Sequence, residues 1–136
     1  MCVFTHFAAG ALAGALIPVP AAAPVIGLGS HIVLDVLPHR DFENYRLEIA
    51  LWLAAAAVLL AGGGMNLPIA LGGFAAVLPD LENLLWKLGR IRDGQKIFPG
   101  HRPGLLRHGR EAGRSSLVLQ FVFTVAVIGY LLGRGA

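Results

Sequence analysis

Apolar residues fall in five runs along the chain, separated by short punctuated breaks. The first is Phe4 to Ile17, closed by Pro18-Val19-Pro20, and the second is Ala21 to Leu37, closed by Pro38. The third is Leu47 to Ala61, closed by three glycines at positions 62 to 64. The fourth starts near Leu67, with Pro68 suited to a first helical turn, and continues past Pro79 towards Trp86. The fifth is Leu117 to Leu132. These Ala- and Leu-rich runs predict helices, an all-α fold of about five short helices in a single domain over 1–136, with a polar loop at 87–114. No internal repeat is present. Gly10 and Gly14 form a small-x-x-x-small pair, the spacing that lets helix backbones approach in lipid.

Composition turns this pattern towards a membrane. Of 136 residues, 56% are hydrophobic and 14% charged, with mean hydropathy +0.69. A soluble domain carries about 25% charged residues. Several runs are nonetheless shorter than the roughly 20 residues needed to span about 30 Å of hydrocarbon. They gain length from flanking residues, thin the bilayer or reach only part way, and the first run has a re-entrant alternative. Met1 to His6 lacks Lys and Arg, so the first run reads as a retained segment rather than a signal peptide. The single cysteine, Cys2, excludes an internal disulfide and a cysteine-rich zinc site.

Drawn as an up-down series, the five runs put ten of the eleven basic residues, from Arg40 to Arg114, on the side of the N-terminus, and only Arg134 on the other. The positive-inside rule makes the first side cytoplasmic. The expectation is a multi-pass inner-membrane protein with its N-terminus in the cytoplasm and its C-terminus outside.

The same drawing brings all five histidines, His6, His31, His39, His101 and His108, to the cytoplasmic side together with Asp35 and Asp80. His31 and Asp35 are four apart and share a helical face, and imidazole with carboxylate is a common ligand pair for zinc or a similar divalent ion. An acid in a membrane helix is costly and usually has a partner or a function. Pro79 removes a helical hydrogen bond, and a kink there can aim Asp80 inward. Taken singly, each residue also has an ordinary structural reading: His6 at an interface, Asp80 or Asn83 capping a restarted helix, His101 and His108 in a solvated basic loop facing anionic lipid. Their co-location is what those readings leave unexplained.

Thr5-His6-Phe7, then Ser30-His31-Ile32-Val33-Leu34-Asp35-Val36-Leu37-Pro38-His39, then Leu78-Pro79-Asp80, then His101-Arg102 to His108 follow in order along the chain. In these elements the sequence resembles the YdjM-like family of membrane-bound metal-dependent hydrolases, over nearly its whole length. The second element is the most specific. The resemblance implies a polytopic inner-membrane protein, a divalent metal held by His and Asp, and hydrolysis of a phosphoester, by distant similarity to zinc-dependent phospholipase C proteins. Glu82 and Asn83 follow Pro79-Asp80 where many members have Asp-His, and Arg107-His108 stands where many have Thr-His. These departures leave open a mononuclear site or a non-catalytic relative.

Two functions compete. The first is a metal-dependent hydrolase at the cytoplasmic interface, acting on a lipid or other phosphoester. His6, His31, Asp35 and Asp80 are its expected ligands, zinc foremost. His101 and His108 are then catalytic groups, and Arg102, Arg107 and His39 bind substrate. The second is a non-catalytic scaffold or metal-binding protein within a membrane complex, with membrane lipid as its partner. A homo-oligomer is compatible with both. Nucleic acid is not an expected partner, because the basic loop has one aromatic, Phe98, and no stacking series.

Overall fold

A computed structural model describes residues 1–102, 105–106 and 109–135. Six α-helices follow in order: α1 Val3–Leu16, α2 Ala23–Val36, α3 Tyr45–Ala61, α4 Leu67–Val77, α5 Asp80–Lys87 and α6 Ser115–Gly135. Two single 3-10 turns, Asp93–Gln95 and Pro99–His101, lie between α5 and α6. The all-α class matches the sequence expectation. The helix count differs because the fourth apolar run breaks in two. Proline at position 79 cannot donate to the preceding turn, and α4 and α5 meet at a bend of 40°.

Local signals set the ends. The Asn44 side chain accepts from the Arg46 and Leu47 amides at the start of α3, and Asn66 accepts from the Ile69 amide at the start of α4. Each satisfies donors that a helix N-terminus leaves open. Between α3 and α4, Gly63 takes φ +72°, a left-handed conformation that side-chain-bearing residues rarely adopt.

The centre is a tight packing of α1, α2 and α4. A Cβ added at Gly10 or Gly27 would collide with the Gly72 carbonyl, and one at Gly14 with the Pro68 carbonyl. The Gly10–Gly14 pair is therefore a contact face, and its partner is α4. Phe7, Ala8, Ala11, Ala15, Leu59, Ile69, Val127 and Leu131 form the buried apolar cluster, in which α3 and α6 lean on α1.

The helices run up and down. Cys2 donates its amide to the Gln120 side chain at one end, and the Arg134 guanidinium donates to the Ala15 carbonyl at the other. The N-terminus of α1, the C-terminus of α2, the α4–α5 break and the start of α6 thus share an end, and the 87–114 loop is laced to it by the Gly109 amide on the Asp35 carbonyl.

Among the described residues, α6 is the single helix long and apolar enough to cross a membrane. It has 21 residues, and Val118, Leu119, Phe121, Val122 and Val125 all lie exposed along it. The bent α4–α5 pair meets the same test only if counted as one span. α1 and α2 have 14 residues each, a rise of about 21 Å against the ~30 Å of a hydrocarbon core.

Candidate metal centre

Two helices and one loop meet at Asp35. α2 carries His31 and Asp35 one turn apart, both buried, with His31 Nε2 3.1 Å from Asp35 Oδ2. α1 adds His6, also fully buried, with Nε2 3.1 Å from Asp35 Oδ1 and its ring stacked on His31 at 3.8 Å between centroids. The loop adds His101, with Nε2 3.4 Å from Asp35 Oδ2 and 3.3 Å from His31 Nε2.

The second nitrogen of each ligand-like ring fixes where its proton sits. His31 Nδ1 is 2.7 Å from the Ala76 carbonyl oxygen, which only accepts, so Nδ1 carries the hydrogen. His101 Nδ1 is 2.8 Å from Glu82 Oε1, and the same argument applies. The Asn83 amide group lies 3.0 Å from His101 Nε2. In neutral rings both Nε2 atoms turn lone pairs towards one another and towards Asp35. In that state three electron-rich atoms crowd one point, a group that could hold a cation; with protonated rings the same nitrogens donate to Asp35 instead. The spacing of the three fits such an ion: four ligands at ~2.0–2.1 Å from a tetrahedral ion stand ~3.3–3.4 Å apart.

Glu82 does more than face His101. Its carboxylate also accepts the Ile97 and Phe98 amides, which pins the Pro99–His101 turn against α5. Phe98 packs edge-on against His31 at 5.1 Å. This is the carboxylate–imidazole pairing that orients metal-binding histidines. Sequence reasoning noted Glu82 only as a departure from a family pattern, and Asn83 as that or as a helix cap. No local periodicity links them to a histidine nearly twenty residues away.

Asp80 stands at the first position of α5. Pro79 precedes it, and no side-chain cap bond closes the start of α5. One ligand atom each from His6, His31 and Asp80 lies within 4.8 Å of the others, a second group sharing His31 with the group of His31, Asp35 and His101. Asp80 Oδ2 and His6 Nδ1 are buried without a hydrogen-bond partner.

The remaining sequence candidates divide. Arg102 lines the cleft in front of the centre, next to His101. His39 does not line it. Pro38 ends α2 and turns the chain away, so His39 binds the Leu37 carbonyl through Nδ1 and faces a smaller cleft of about 320 Å³ with Arg40, Asp41 and Glu111. Arg107 and His108 lie outside the described residues.

Two groups beside the centre were not anticipated. The amine of Met1 lies 3.1 Å from Asp35 and 3.2 Å from Asp41. Burial disfavours its charge, but Asp41, Asp35 and Asp80 outweigh that, and its pKa is raised overall. Cys2, with Asp41 and Glu48, forms a third cluster of ligand-type atoms. Burial, with Glu48 and Asp41 adding to it, pushes the Cys2 thiol up to about 12. At neutral pH the cluster offers a thiol rather than the thiolate that metals prefer.

Comparison of the chain with protein-family models, with curated proteins and with solved structures finds no match.

Proposed function

We propose that the chain is a metal-dependent hydrolase of the YdjM-like kind, acting on a phosphoester at the cytoplasmic face of the inner membrane. The observation that carries this reading is the convergence of His31 Nε2, His101 Nε2 and Asp35 Oδ2 within 3.1 to 3.4 Å of one another, with each Nδ1 engaged by Ala76 or Glu82. These three atoms would hold the ion, zinc by its preference for nitrogen and carboxylate donors. A bound divalent ion supplies Lewis acidity and lowers the pKa of water.

The chain's own groups supply the rest. Asp80, with a buried oxygen lacking a hydrogen-bond partner, takes a proton from the attacking water. His6 braces Asp35 from the side away from the loop. Arg102 pairs with the phosphoryl oxygens by its planar fork. Among the described residues lining the cleft there is no Ser, Thr or Cys, so a covalent intermediate there would have to form on another side chain, such as a carboxylate or an imidazole. These assignments change three roles of the sequence reading: His101 becomes a ligand, Asp80 the base, and His6 a brace for Asp35 instead of a ligand.

The test is metal analysis of the purified protein with hydrolysis of bis(p-nitrophenyl) phosphate. One Zn²⁺ per chain and metal-dependent turnover, both lost in His31→Ala, are expected. Stoichiometric metal without turnover would instead leave the scaffold reading. Wild-type protein with no bound metal would remove the hydrolase and the metal-binding protein and leave a non-catalytic scaffold.

A further inference from the structure

The cleft in front of the centre has an apolar half that the proposed chemistry does not use. It has a volume of about 820 Å³ and runs between α3 and the α4–α5 segment. α3 turns Tyr45, Ile49 and Trp52 to it, and the opposite wall carries Phe74, Leu78 and Leu81. Both sets follow the three- and four-residue spacing of one helical face. The walls stand apart because their helices pack elsewhere: α3 on α1 and α6, α4 on α1 and α2. Val3 of α1 lines the space that results. Trp52 and Phe74 meet edge-on at 6.1 Å.

This wall is left uncovered at a cost. Leu78 is 61% exposed and Leu81 52%, and apolar surface removed from water yields roughly 25 cal/mol per Å². Its other end is charged. Asp35, Asp41, Glu48 and Asp80 line the cleft against Lys87, Lys96, Arg102 and the Met1 amine, four against four. Given the ion of the proposed function, on which this step rests, the balance becomes positive and suits an anion. The volume lies within the ~300–1,000 Å³ of sites that engulf a small molecule, room for one hydrocarbon chain and a compact head rather than a two-chain phospholipid.

We infer that this cleft seats a single-chain lipid phosphate monoester, its hydrocarbon chain between Trp52 and the Leu78–Leu81 wall and its phosphate at the Asp35–His31–His101 centre. The chain fixes which phosphoester the centre meets, and the paired charges at the mouth hold the head in register.

Both tryptophans of the protein, Trp52 and Trp86, line the cleft, so tryptophan fluorescence reports on it. The full chain in phosphatidylcholine nanodiscs, with its Zn²⁺ content measured, is titrated with dodecyl phosphate brominated in mid-chain. Expected is saturable quenching, reversed by unbrominated dodecyl phosphate. Brominated dodecanol should bind at least ~10-fold more weakly, and chelation should weaken the phosphate but not the alcohol. Leu81→Asp should weaken binding ~10-fold, whereas Val19→Asp, on a residue 50% exposed between α1 and α2 and outside the cleft, should not. Quenching that rises linearly with probe, or equally for phosphate and alcohol, means partition into bilayer and overturns the inference. Zn²⁺ bound with only linear quenching sinks the amphiphile and keeps the metal site. Saturable quenching without bound Zn²⁺ keeps the chain's seat and sinks the hydrolase.

Discussion

His31 Nε2 and His101 Nε2 stand 3.3 Å apart, although seventy positions separate the two residues in the chain. His31 Nδ1 donates to the Ala76 carbonyl, and His101 Nδ1 faces Glu82. In neutral rings of that tautomer the two Nε2 lone pairs repel at this distance unless a positive charge lies between them, and Asp35 is the third member of the same arrangement.

Asp35→Asn should therefore abolish metal binding, because the amide brings no negative charge to a cation. Loss of folded protein should be modest, since the amide still accepts from its neighbours. Arg102→Ala should leave the metal in place and weaken binding of a phosphate analogue. Metal content and phosphate-analogue affinity, measured on both variants, should separate. Full metal content in Asp35→Asn would reduce Asp35 to a helix-end acid.

Glu82→Gln is expected to lower Zn²⁺ affinity by ~10–100-fold, the usual effect of losing an orienting carboxylate behind a ligating histidine. A competition titration against a chromophoric chelator measures it. The Gln variant keeps an acceptor for the 97–98 amides, so its melting temperature should move little. An unchanged affinity would mean that His101 is not a ligand.

Gly10→Ala should destabilise the fold by about 1–3 kcal/mol, the range for forcing extra volume into a packed interior, because its Cβ meets the Gly72 carbonyl. Gly29→Ala, on α2 with nothing within 4 Å of the added carbon, should be neutral or stabilise by about 0.5–1 kcal/mol through helix propensity. Thermal unfolding of the two variants in one detergent compares them directly. Equal melting temperatures would contradict the close approach of α1 and α4.

The Cys2 thiol, raised by burial, should resist maleimide at pH 7–8 in the native protein and react once it unfolds. The fold favours the neutral thiol. Its contribution is complete below the ordinary value of 9.0 and is lost as the pH rises towards about 12. Base unfolding in a Cys2→Ala variant should accordingly begin at higher pH. Because Cys2 is hidden, the expected cytoplasmic N-terminus must be mapped with a cysteine introduced at an exposed position such as Arg92, labelled from each side of sealed vesicles. Labelling from outside would reverse the topology.

How far the sequence could be read depended on range. The up-down pattern was enough to bring His6, His31, Asp35, Asp80 and His101 to one end, because each lies at a helix end or in the loop that crosses it. Pro79 announced the break that redirects Asp80. His39 could not be placed, since Pro38 gives a turn without its direction. Glu82 could not be assigned, because its three hydrogen-bond partners at positions 97, 98 and 101 are distant in sequence and depend on how the loop folds back. The cleft was invisible for the same reason: it exists only because α3 and α4 choose different neighbours.

The delivery of His101 by a loop has a kinetic side. His6, His31, Asp35 and Asp80 sit on or beside the three mutually packed helices and come together as that core forms. His101 arrives only when a long segment closes, held by Glu82 and the Gly109 amide. Closing such a segment carries an entropic cost that grows only slowly with its length, and an ion that needs the closed form binds in proportion to the closed population. Zinc would then act as a clasp on the strap. Limited proteolysis near Arg90 and Arg92 should slow as the ion is added, while the core helices survive either way.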